Sequence, residues 1–88
     1  MKAKNGFVMR FVVDEYMLMP TDDNINRFDG SVLLNEVSAF IWEQLQKETT
    51  FEELLAAMLA EFDVPEAVAK KDLEALLATF REYGLIAE

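Results

Sequence analysis

The 88-residue sequence predicts an α+β domain in two layers, a three-stranded antiparallel sheet followed by three helices. Apolar residues alternate along the chain up to Leu34 and recur at helical spacing after Asn35, with polar turn clusters between the runs. Hydrophobic residues make up 52% of the chain, enough for one core at a length where roughly 60% of the unfolded surface can be buried. Residues 1–88 are therefore read as a single domain.

The stretch FVMRFVV, with Phe7, Met9, Phe11 and Val13 alternating, predicts a first strand over 7–13. EYMLMP predicts a second over 15–20, after a tight turn at Asp14 and Glu15, because Asp tolerates left-handed backbone angles. The polar connection TDDNINRFDG ends in Asp29 and Gly30, a turn signal ahead of a third strand over 31–34. Met9, Met17 and Met19 sit at strand positions and are expected as adaptable core filler.

The register then changes without room for a loop. In SVLLNEVSAFIWEQL, Asn35 is a good N-cap, and Val37, Phe40, Ile41 and Leu45 predict a first helix over 36–47. Thr50 and Glu53 have capping-box spacing and open a second helix over 51–62, with Leu54, Leu55, Met58, Leu59 and Phe62 as its stripe. Pro65 marks the start of a third over 65–83, capped by Asp63 or Val64 and stopped at Gly84. Ala69, Leu73, Leu76, Leu77 and Phe80 form its core stripe, and Trp42 is expected in the seam between helices and sheet.

Composition excludes several classes of function. The net charge is −9 and the eight basic residues are scattered, whereas nucleic acid binding relies on gathered Lys and Arg. Without Cys or His there is no disulfide and no soft metal ligand, so neither metal nor cofactor is expected. No apolar run approaches a membrane span, which leaves a cytoplasmic protein as the expectation. The pairs Asp22–Asp23 and Glu52–Glu53 have ordinary explanations as a polar loop and a helix first turn, and the three glycines form no phosphate loop. With no nucleophile beside a base, the chain is not expected to be an enzyme.

Binding remains, and a three-strand meander leaves two open edges. An extended peptide could add beside Ser31–Leu34 while packing against the third helix. About five backbone hydrogen bonds at ~0.5 to 1.5 kcal/mol are offset by ~1 to 2 kcal/mol per ordered peptide residue, so an apolar wall is required. Leu77 with the stems of Lys70 and Arg81 is the candidate wall, its cationic heads free to meet acidic peptide residues.

From Phe7 to Ile86 the sequence resembles the PqqD family of small peptide-chaperone domains, also called RiPP recognition elements. VMR, EYMLMP, FDG, LLNEVSAFIWEQL, TFEELLAAMLAEFDV, KKDLEAL and REYGLI carry the resemblance, in that order. It implies a winged helix-turn-helix-like fold that binds the leader of a ribosomally made precursor peptide and presents it to a modifying enzyme, such as a radical SAM protein. Carried over by position, the peptide-binding residues are Ser31, Val32, Leu33 and Leu34 on the strand and Lys70, Leu73, Glu74, Leu77 and Arg81 on the helix. Whether Leu73 or Leu77 faces the groove stays open. PqqD-like domains serve many pathways, so the resemblance implies a modified peptide rather than pyrroloquinoline quinone (PQQ) in particular. Asp14 stands at the first hairpin turn, where the family commonly has glycine.

Two other functions fit an α+β domain of this kind. One is a winged-helix DNA-binding protein, which the acidic balance opposes. The other is a structural subunit that forms a homodimer through its open sheet edge.

Overall fold

Val13 and Asp14 both take positive φ, 49° and 65°, and so turn the chain through a two-residue hairpin. The hairpin joins β2 (Phe7–Val12) to β3 (Glu15–Pro20), with Val12 paired to Glu15 beside the turn. The turn therefore uses Val13, where the sequence pointed to Glu15, and Val13 lies outside the strand. A computed structural model describes residues 1–21 and 32–87. Ser31 and the expected FDG turn lie outside the described residues.

β4 (Val32–Leu34) adds antiparallel to β3, giving the sheet order β2-β3-β4. Leu18 at the sheet centre is fully buried, and Phe7, Met9, Tyr16 and Val32 on the same face pack against the core. Leu34 follows directly into Asn35, whose side-chain oxygen accepts a hydrogen bond from the Ser38 amide at 2.8 Å. That cap starts α1 (Glu36–Gln44), three residues shorter than expected.

Thr50 caps α2 (Phe51–Glu61) by accepting from the Glu53 amide at 3.2 Å, as the capping-box spacing predicts. α3 (Glu66–Glu82) has Pro65 itself at the N-cap position, with no side-chain cap from Asp63 or Val64. Its far end closes in a Schellman motif: Gly84 at φ 72° lets the Leu85 amide reach the Phe80 carbonyl and its own amide reach that of Arg81.

The core lies between sheet and helices. Trp42 is 3% exposed and stands edge-on to Phe7 on β2 and Phe80 on α3, at ring-centroid distances of 6.5 and 5.8 Å. It fills the expected seam. Ala69, Leu73, Leu77 and Phe80 are buried on α3, and Leu76 is half-buried at the margin.

Two pairings were not legible in the sequence. β1 (Lys2–Ala3) pairs antiparallel with β5 (Ile86–Ala87), and the Ala3 amide donates to the Leu45 carbonyl at 2.7 Å. Two-residue strands are too short to leave a period. The methionines also divide: Met9 packs on the core, whereas Met17 and Met19 alternate onto the opposite face of the sheet and do not fill it.

Candidate functional site

β4 pairs with β3 alone among the described residues, so its other edge is open. In an antiparallel pair, opposed residues alternate between exchanging hydrogen bonds and turning their amides and carbonyls away. The parity is set at the far end of the hairpin, where the Thr21 amide donates to the Gly6 carbonyl at 2.7 Å. Counting inward, Pro20 faces away from β2, which suits a residue with no amide proton. Tyr16 and Leu18 then exchange bonds with Leu34 and Val32, while Met17 and Leu33 do not. Leu33 is therefore the described residue whose amide and carbonyl both face the open edge.

Among the described residues the edge thus offers one donor and one acceptor, both at Leu33. Two such bonds contribute about 1 to 3 kcal/mol, so side-chain burial must supply most of any affinity. The wall that could supply it is on α3. A cleft of about 330 Å³ runs between Asn35, Val37 and Ser38, just after β4, and Asp72, Ala75 and Leu76 of α3. Val37 and Leu76 are both half-buried against the core and expose the remainder of their apolar surface here. Asp72 gives the cleft one negative charge. Thr79 continues the same flank one turn on, with its hydroxyl donating to the Ala75 carbonyl at 3.1 Å.

Lys70, Glu74, Leu77 and Arg81 lie on the other flank of α3. They line a separate cleft of about 380 Å³ with Phe51 of α2, and no described residue of β4 borders it. Leu73 is fully buried and borders neither cleft, while Leu77, 1% exposed, reaches the one beside Phe51. Of the strand residues, Leu33 is 62% exposed, Val32 is half-buried and Leu34 is buried. No described residue of β4 borders either cleft; the one on the Asp72–Leu76 flank begins at Asn35, the residue that follows β4. The helical repeat identified both margins of the stripe, and each margin lines its own cleft.

The structure is an α+β domain whose three-stranded antiparallel sheet ends in β4 and runs directly into the first of three helices. Residues 15–86 match the family described as coenzyme PQQ synthesis protein D (PqqD), and the chain belongs to that family. No curated protein matches. A structure described as TbiB1 in complex with the TbiA(beta) leader peptide aligns over 100% of both chains, with a TM-score of 0.75 and 24% identity. Lasso peptide synthetase B1 complexed with the leader peptide aligns over 99% of this chain and 96% of that one, with a TM-score of 0.73 and 16% identity. Both likenesses are of fold. No helix among the described residues is long and apolar enough to cross a membrane, and no group of His, Cys, Asp or Glu among them is arranged to hold a metal.

Proposed function

We propose that this protein binds the leader region of a ribosomally made precursor peptide and presents it to a modifying enzyme, acting as a carrier rather than a catalyst. The peptide adds as a strand beside β4, hydrogen-bonded at Leu33, and its inward side chains enter the cleft between Val37 and Leu76. The observation that carries this is the open backbone of Leu33, two residues before the cleft that Asn35, Val37 and Ser38 form with Asp72, Ala75 and Leu76 of α3. Membership of the PqqD family and the leader peptides named in the two similar structures support it.

The cleft chemistry refines the expected ligand. A peptide in this cleft should carry an apolar side chain for Leu76 beside a basic or hydrogen-bond-donating residue for Asp72. An NMR titration of labelled protein with the leader of the nearest encoded precursor tests the reading. Shifts gathered at Val32–Ser38 and Asp72–Thr79 are expected. Shifts gathered instead at Phe51, Lys70 and Arg81 would move the site to the other flank, and an unmoved spectrum at millimolar peptide would remove the function.

A further inference from the structure

Among the described residues, none of α3 borders a third cleft, which β3, α1 and the end of α2 form together. Its volume is about 280 Å³, and three half-buried rings line it, Tyr16 of β3, Phe40 of α1 and Phe62 just after α2. Phe40 and Phe62 meet edge to face at 5.4 Å, and Phe11, 60% exposed, lies against Tyr16 at 4.8 Å. The charged groups on the cleft are the exposed carboxylates of Glu36, Glu43 and Glu61, and no Lys or Arg is among the described residues that line it.

Two of these carboxylates stand where they oppose the fold. Glu43 is in the last turn of α1 and Glu61 ends α2, both at the negative end of a helix dipole, and neither helix has a basic residue in its last turn. Both placements cost folding stability unless a cation shares the cleft. Glu36, Phe40 and Glu43 recur at helical spacing, so one face of α1 sets a ring between two carboxylates.

We propose that this cleft holds a basic side chain of the precursor peptide, an arginine by preference, a few residues away from the strand at β4. The inference rests on leader addition at β4. A guanidinium is planar and weakly hydrated, so it stacks on a ring while its N–H groups donate to carboxylates on either side.

Size, charge and position select that occupant. The volume of about 280 Å³ is below the roughly 300 to 1,000 Å³ of small-molecule sites, which suits one side chain better than a cofactor. A metal ion does not fit, because no group of His, Cys, Asp or Glu among the described residues is arranged to hold one. Tyr16 is paired with Leu34, and Glu36 follows Leu33 by three residues, so the Cα atoms of Leu33 and Glu36 are at most about 11 Å apart. A peptide hydrogen-bonded at Leu33 covers that distance in about four extended residues.

The test has two arms, both on the full chain. In the first, labelled protein is titrated with N-acetyl-arginine amide and with its uncharged isostere, N-acetyl-citrulline amide, while NMR follows the rings of Phe40 and Phe62. Saturable shifts are expected from the arginine amide, with an affinity at least about five-fold above that of the citrulline amide. Glu43→Gln/Glu61→Gln should weaken this binding at least about five-fold and raise the melting temperature by about 2 °C or more. Equal shifts from the two amides, a double variant that binds as the native protein does, or one that melts lower overturns the proposal.

The second arm identifies the source of the cation. A fluorescent synthetic precursor, that of the nearest encoded gene, is compared by anisotropy with forms in which each Arg or Lys in turn is replaced by citrulline or norleucine. One replacement should weaken binding to the native protein at least about ten-fold, and to Glu43→Gln/Glu61→Gln by no more than about two-fold. Against Asp72→Asn it should keep its full effect, which separates this residue from one that meets Asp72. A precursor that binds without such coupling overturns the occupant alone. A precursor that fails to bind the native protein overturns the proposed function and this occupant together.

Discussion

Leu76 and Leu77 are adjacent in the chain and line different clefts, Leu76 with Val37 and Asp72, Leu77 with Phe51, Lys70 and Arg81. One step along a helix turns a side chain by about 100°, and the buried line of Ala69, Leu73 and Phe80 runs between the two. Neighbouring residues of one stripe therefore report on two surfaces.

Their substitutions separate those surfaces. Leu76→Asp should weaken leader binding at least about ten-fold, because the apolar contact is lost and a second carboxylate joins Asp72. Lys70→Ala/Arg81→Ala should leave the leader affinity within about two-fold. Anisotropy titrations of a labelled leader against the three proteins decide between the flanks. The opposite ranking would seat the peptide beside Phe51.

The hairpin should become more stable on substitution at its tip. Val13 holds φ 49° and Asp14 φ 65°, and left-handed angles cost an ordinary L-residue about 1 to 2 kcal/mol while Asn or Gly accept them readily. Val13→Asn is therefore expected to raise stability by about 1 kcal/mol in urea unfolding, with an unchanged slope. A loss of stability would mean that the Val13 side chain has a role in the folded protein that its exposure conceals.

The same hairpin shows how far the sequence could be read. Alternation in FVMRFVV and EYMLMP located both strands, and Leu34–Asn35 located the strand-to-helix junction, because the capping residue follows the last strand residue directly. The turn was placed one residue late, since a β-branched Val is the last residue that propensity assigns to positive φ. Trp42 was legible as a seam residue from its place on an apolar helix face. What escaped was a tertiary choice, the β1–β5 pairing of the two chain ends. It depends on packing between distant segments.

That terminal pairing has a pH signature. The Met1 ammonium donates to the Glu48 carboxylate and to the Thr49 carbonyl, and the first of these hydrogen bonds holds the Glu48 pKa below its ordinary value. A carboxyl lowered in the folded state adds stability above its unfolded pKa, and that increment is lost as pH falls through the lowered folded value. Glu48→Gln should therefore lower the melting temperature slightly at neutral pH and make no difference once the pH is below the carboxylate range. A deficit that persisted in acid would point to packing rather than charge.

Asn35 links the edge strand to the helical layer, and its substitution tests whether that link matters for binding. Its side chain accepts from the Ser38 amide at 2.8 Å and from the Ser38 hydroxyl at 2.9 Å. Asn35→Ala removes both and should cost about 1 kcal/mol of stability, the ordinary value of an N-cap. Asn35 and Ser38 also border the cleft beside Leu76, so a loosened first turn changes the wall facing the leader. Leader affinity should therefore fall by more than the protein's stability loss explains at temperatures where folding is complete. Asn35→Asp keeps the cap and should restore stability, but it sets a second carboxylate near Asp72 and so should strengthen binding of a leader that carries a basic residue there. If both variants bind the leader as the native protein does, the cap serves folding alone and the cleft wall is fixed by the core residues of α3.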